Sequence, residues 1–152
     1  MNASTLTLKI HLQDSMVYFN KPFQVKVTLE NTSKDTLMVN KRLSVGYENS
    51  ISRELYFNII DANTKEVIGI PTESYDRPPT YFNEYGVLKP KESISTTFDL
   101  SEWQEIHLPK GKHQLEIVAF YQADEDYFDK RPENVVQGLF QSEPVTFYWI
   151  QK

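Results

Sequence analysis

An all-β, two-layer sandwich is the fold class that this sequence predicts, and three observations predict it. Apolar side chains recur at every second position in six short stretches. Strand-breaking residues stand between those stretches. No stretch shows a sustained helical stripe. The six sets are Leu6, Leu8, Ile10 and Leu12; Phe23, Val25, Val27 and Leu29; Leu55, Phe57 and Ile59; Ile94, Thr96, Phe98 and Leu100; Leu115, Ile117, Ala119 and Tyr121; and Val145, Phe147 and Trp149. Period two places each set on one side of a strand and sends the residues between to the other side. Strands with one dry face each pair off as two sheets around a shared interior.

The elements follow in order. The first strand covers Thr5–Leu12 and breaks at Gln13-Asp14-Ser15. Asn20-Lys21-Pro22 turns the chain into a second strand over Phe23–Glu30. Asn31 to Asp35 is a polar turn, and a short strand follows at Thr36–Asn40. Lys41–Arg53 is a connection. Glu54–Ile60 is a strand, Asp61 to Glu66 a hairpin loop, and Val67–Ile70 its return leg. Pro71, Pro78 and Pro79 make the next stretch irregular, because proline donates no ladder hydrogen bond. Tyr81–Leu88 is a strand. At Lys89-Pro90-Lys91-Glu92, proline presets φ at the second position and lysine disfavours φ > 0 at the third, so a type I turn is expected. Ser93–Leu100 is a strand that runs into a helical turn, with Ser101 as its cap. Pro109-Lys110-Gly111 turns the chain into the clearest strand, His113–Gln122. Ala123–Gly138 is a long polar loop. Phe140–Ile150 closes the fold, and Pro144 marks an edge or a bulge within it.

The 152 residues favour one domain, spanning 1–152. A chain of this length buries about 70% of its unfolded surface, enough for a core without staples. The aromatic share of 13% suits a pleated sheet. A net charge of −5 with both signs interspersed argues against nucleic acid or an anionic membrane as a partner, since both call for clustered Lys and Arg. The absence of cysteine excludes disulfides and thiol chemistry. No apolar run reaches the length of a membrane span. Met1–Lys9 has no apolar signal-peptide core. With Met1 as the native start the protein is cytoplasmic; behind a trimmed leader it is exported. Asn2-Ala3-Ser4 and Asn31-Thr32-Ser33 fit the glycosylation pattern.

Three segments carry a family resemblance. They are Val25-Lys26-Val27-Thr28-Leu29-Glu30-Asn31-Thr32, the stretch from Leu88-Lys89-Pro90-Lys91-Glu92-Ser93 to Ser101, and Leu108-Pro109-Lys110-Gly111-Lys112-His113-Gln114-Leu115. The chain from Phe23 to Tyr121 resembles a bacterial immunoglobulin-like domain. It is similar to the accessory domain beside deuterolysin-type metallopeptidases and to the bacterial intracellular proteinase-inhibitor family. The resemblance implies an immunoglobulin-like Greek-key β-sandwich of about 8 strands with long end loops. The usual Pro-Gly of that family's turn is Pro90-Lys91 here, and no His-Glu-x-x-His is present, so no catalytic residue carries over.

The residues offer little chemistry. His11 alternates out of register with its strand's apolar set and faces solvent; His107 and His113 flank a turn. None has ligand spacing to another histidine. Asp124, Glu125, Asp126 and Asp129 crowd one loop but lack the glycine and regular spacing of a calcium loop. There is no nucleophile elbow and no glycine-rich phosphate loop. No metal or cofactor is expected, and no enzyme.

The loop aromatics are the stronger candidates. Tyr75, Tyr81 and Phe82 surround Arg77, and Tyr127 and Phe128 sit in the long polar loop. Tyr and Arg are the residue types that anchor interfaces. These six are the expected contact residues of a non-enzymatic binding or structural module that meets another protein through its loops or an exposed edge strand. Trp149 is in phase with the core, while Trp103 either plugs the sandwich end or stacks on a sugar. A carbohydrate-binding module is therefore the alternative, and a proteinase inhibitor is implied by the resemblance alone.

Overall fold

The computed structural model describes residues 5–41, 43, 55–71, 85–102, 104–123 and 135–152. These form twelve strand segments and one 3₁₀ turn: β1 (Leu6–Leu12), β2 (Met16–Tyr18), β3 (Gln24–Asn31), β4 (Leu37–Asn40), β5 (Leu55–Asp61), β6 (Gly69–Pro71), β7 (Tyr85–Leu88), β8 (Ser93–Asp99), the 3₁₀ turn Leu100–Glu102, β9 (Gln104–Ile106), β10 (Gly111–Ala123), β11 (Gly138–Gln141) and β12 (Val145–Gln151). One sheet has the order β1-β3-β8. In the other, β10 pairs β5 along one side and β12 and β11 along its other side, and β2 adds to β12. The strand pair β2–β12 is parallel; the others are antiparallel. In chain order the path passes between the two sheets five times, on entering β2, β3, β5, β8 and β10. This is the Greek-key connectivity of an immunoglobulin-like sandwich.

The alternation sets the core. Val25, Val27, Leu29, Leu55, Ile59, Leu115, Ile117, Ala119 and Phe147 are sealed from solvent. Phe57 of one layer meets Phe98 of the other edge-on, with ring centroids 6.2 Å apart. Phe23 lies against Phe147 at 5.0 Å. Trp149 is buried, as its phase predicts.

β11 and β12 form one strand interrupted by a bulge. Phe120 faces Gln141 and Ile117 faces Val145, so three residues, Ser142 to Pro144, oppose two, Val118 and Ala119. Pro144 supplies no N–H. Ser142 repairs the ladder: its N–H donates to Ala119 O (2.9 Å) and its buried hydroxyl accepts from Ala119 N–H (2.8 Å).

Asn31 ties four pieces of chain together. It is completely buried. Its Nδ2 donates to Leu88 O and Asp35 O, both at 2.8 Å. Its Oδ1 accepts from the backbone N–H of Ser33 (2.9 Å) and from the Ser33 hydroxyl (2.7 Å). Its backbone N–H donates to Glu92 O, and its carbonyl accepts from Lys91 N–H, each at 2.9 Å. With both amide hydrogens committed inside the protein, the Asn31 triplet presents no acceptor nitrogen for glycosylation in the folded chain. Asn2-Ala3-Ser4 lies outside the described residues.

The same network corrects the turn at 89–92. Lys91 has φ 70°, the third-position value of a type II turn rather than type I. Glu92 N–H closes the turn on Lys89 O (3.0 Å) and the Glu92 carboxylate accepts from Lys89 N–H (2.6 Å). Lys91 is held left-handed because its own N–H is captured by Asn31. Lysine takes the position that glycine favours in a type II turn, at a conformational cost of about 1 kcal/mol.

Three further expectations shift. The return leg after the Asp61 loop makes a single bridge, Val67 to Ile60, and then leaves to form β6, which pairs with β9. β2 and β9 are strands that the sequence reading missed, which takes the count above eight. The 3₁₀ turn is capped by Asp99, not Ser101: Asp99 Oδ1 accepts from the Ser101 backbone N–H (3.1 Å) and hydroxyl (2.6 Å).

Two stability measurements test this account. Asn31→Ala strands the buried carbonyl of Leu88 and unties the Ser33–Asp35 turn, and should cost about 3 kcal/mol, a drop in Tm of roughly 10 °C; a change under 3 °C would contradict the role given to Asn31. Lys91→Gly relieves the left-handed strain and should stabilise by about 0.5 kcal/mol after the entropy of glycine is allowed for. Chemical denaturation reads both.

Candidate functional site

The six expected contact residues, Tyr75, Arg77, Tyr81, Phe82, Tyr127 and Phe128, lie outside the described residues, as do Trp103 and the carboxylates Asp124 to Asp129. The surface that the structure describes is that of the sandwich itself. His11 is exposed, as its phase predicts. His107 contacts Glu105 (3.1 Å), and His113 Nε2 lies 2.6 Å from Pro109 O. Among the described residues no three His, Asp or Glu side chains gather as a metal site, and no helix is long and apolar enough to cross a membrane.

A groove of about 540 Å³ opens between the turn before β3, the 3₁₀ turn and β9. Phe19, Trp149, Lys21, Gln104, His107 and Asp99 line it. Its polar groups are largely engaged. Trp149 Nε1 donates to Gln151 (3.0 Å), and Gln104 Nε2 donates to Phe57 O (3.3 Å). Asp99 Oδ1 accepts from Phe23 N–H (2.9 Å) as well as from Ser101. Partial burial on its own pushes the Asp99 carboxyl upward. The bonds from Phe23 and Ser101 outweigh it and hold the group below its ordinary value of 3.8. Asp61 is also held below 3.8, chiefly by the backbone N–H groups of Thr64 (2.9 Å) and Asn63 (2.8 Å).

The sheet edges differ more than the cavities do. β1 carries Lys9 and His11 and lies beside β11 across a shallow cavity of about 310 Å³. β2 is three residues long and ends in a turn in which Lys21 N–H bonds Tyr18 O. Short length and charge both discourage pairing with a further strand. β8 has neither device. It runs seven residues in unbroken register with β3, without proline, bulge or charge from Ser93 to Phe98.

Its bonding direction follows from the pairs at its ends. Asn31 N–H donates to Glu92 O, and Leu100 N–H donates to Phe23 O (2.7 Å). Antiparallel backbone groups alternate in direction, so Ile94, Thr96 and Phe98 turn theirs toward β3, while Ser93, Ser95 and Thr97 turn theirs outward. Among the described residues no strand pairs with that outer edge. The side chains of Ser93, Ser95 and Thr97 are exposed, and Ile94 and Phe98, though packed on the core, are only half-buried. The strand itself is legible in the sequence. Its openness depends on strand order, for which no local signal exists.

No protein-family model matches the chain, and no curated protein matches it. Among solved structures it is similar to the CARDB domain of a Pyrococcus furiosus protein, crystallised in complex with di-metal ions, at 16% identity over 96% of this chain and 91% of that one, with a TM-score of 0.38. It is also similar to the E. coli chaperone DraB, at 10% identity over 96% of this chain and 55% of the chaperone, with a TM-score of 0.32. The fold assignment rests on the strand order itself. The resemblance to the deuterolysin accessory domain and the inhibitor family is carried no further.

The carboxylate at the groove makes stability depend on pH with a defined sign. A lowered native pKa means that the unfolded chain takes up the proton first. The stabilisation is complete above about pH 4 and disappears as pH falls through the native value. Asp99→Asn should cost about 1 kcal/mol at pH 7, and the gap from the unsubstituted protein should close as the pH is lowered through the depressed native value of Asp99. Asp61 is common to both proteins and cancels. A gap independent of pH in thermal melts would contradict the assignment.

Proposed function

We propose that this chain is a non-enzymatic binding or structural module that acts through protein–protein contacts within a larger assembly, and that it takes up a strand of its partner along the outer edge of β8. The observation that carries this reading is the outward row of backbone donors and acceptors at Ser93, Ser95 and Thr97, on an edge without the usual protection against pairing. Strand addition draws affinity from main-chain hydrogen bonds and selectivity from alternate side chains. Here the incoming strand would lay apolar side chains over Ile94 and Phe98 and polar ones beside Ser95 and Thr97. The segments that carry Tyr75, Arg77, Tyr81, Phe82, Tyr127 and Phe128 would supply a second zone of contact. Carbohydrate stacking finds less support, because the one described tryptophan, Trp149, is buried in the core.

Thr97→Pro tests the reading. It removes an outward N–H and leaves the bonds to β3 in place, so the melting temperature should change little while partner capture is lost. Hydrogen exchange gives the matching control. The amides of Ser95 and Thr97 should exchange far faster than those of Ile94, Thr96 and Phe98, and should become protected in the complex. Partner capture undiminished by Thr97→Pro would defeat the proposal.

A further inference from the structure

We infer that the strand taken up by β8 is β8 of a second copy of this chain, in an antiparallel pair whose two-fold axis passes through Thr96. This rests on the strand-addition reading above and names its partner. The sequence of β8 is self-complementary in that register. Ile94 of each copy stands opposite Phe98 of the other, which covers the two half-buried apolar residues of the strand with one another. On the outer face, Ser95 stands opposite Thr97 and Ser93 opposite Asp99, so hydroxyl meets hydroxyl and hydroxyl meets carboxylate. All seven residues of β8 are paired, Thr96 faces itself across the axis, and no like charges oppose.

The neighbouring registers fail. A two-fold through Ser95 sets Phe98 against the carboxylate of Glu92. A two-fold through Thr97 sets Glu92 against Glu102 and drives the pair into the 3₁₀ turn. One register survives, and it joins two three-stranded sheets into a continuous six-stranded sheet with an isologous interface.

The absence of cysteine makes the register measurable. Directly opposed residues at a non-hydrogen-bonded antiparallel pair have Cα atoms about 4.5 Å apart, inside disulfide range. Thr96→Cys should therefore form a disulfide-linked dimer on mild oxidation, while Ser95→Cys, displaced from its own counterpart, should cross-link at least tenfold more slowly. Sedimentation of the unsubstituted chain should give a mass that rises toward twice the monomer's as concentration increases through the micromolar range. The double variant Ser95→Lys, Thr97→Lys sets like charges opposite one another on an exposed face and should sediment as a monomer with an unchanged melting temperature. An unsubstituted chain that stays monomeric, or equal cross-linking from residues 95 and 96, overturns the second-copy assignment. A monomer whose Thr97→Pro variant still loses partner capture would leave the strand-addition reading standing with a different partner.

Discussion

The arrangement of the first sheet depends on one buried side chain amide. Asn31 ends β3, and its amide spans from the Asp35 turn to the end of β7. Its backbone holds both Lys91 and Glu92. A completely buried amide without partners would cost several kcal/mol, so this network is specified as a unit or not at all. Its consequence reaches β8. The strand starts at Ser93 because Glu92 is pinned opposite Asn31, and from that point the alternation of backbone groups along β8 has no freedom. At the far end, Asp99 and Phe23 clamp the same register. The two clamps lie seven residues apart and agree, so the outer row of β8 is as fixed as its inner one.

The second sheet solves the opposite problem. β10 is thirteen residues long and central, and from Leu115 to Tyr121 it has β5 on one side and β12 or β11 on the other. Along the β11–β12 side, an extra residue and a proline interrupt the ladder, and Ser142 restores the lost acceptor from its side chain. Tyr56 and Phe120 stack at 4.7 Å, nearly parallel, on the face turned away from the core. Along the outer boundary, β2 is kept to three residues. β1 and β2 carry charge or are cut short at their edges, whereas β8 has no charged residue from Ser93 to Phe98 and, among the described residues, no strand on its outer side.

Much of this was legible from residue order alone. Where one face of a strand is dry, alternation by two is forced, and the sets led by Leu6, Phe23, Leu55, Leu115 and Val145 all turned inward. The breaker at Pro144 was readable because proline lacks a donor. The failures have separate physical causes, in contacts and lengths that a local preference does not carry. Lysine avoids positive φ until Asn31 captures its amide. Ser101 is a good cap until Asp99, two residues earlier, takes its hydroxyl. β2 and β9 are three residues each, too short for periodicity, and exist because a neighbour offers them a ladder. Tyr75, Tyr81, Phe82, Tyr127 and Phe128 stand out by residue type, whereas the edge of β8 is made of serine and threonine, which do not.

The strength of an association through such an edge follows from its parts. Each main-chain hydrogen bond gained at an interface contributes on the order of 1 kcal/mol net, because it replaces bonds to water. The loss of translational and rotational freedom opposes this with at least 4 kcal/mol and in some treatments more than 15. Pairing along seven residues therefore comes close to balance by itself. The margin has to come from apolar surface removed from water, at about 25 cal/mol per Å², and along β8 that surface belongs to Ile94 and Phe98. An incoming strand with polar residues at those two positions would gain the same main-chain bonds and still fail to hold. Under the proposed strand addition, selectivity on this edge would reside in the inward side chains, although the bonds that align the partner would belong to Ser93, Ser95 and Thr97.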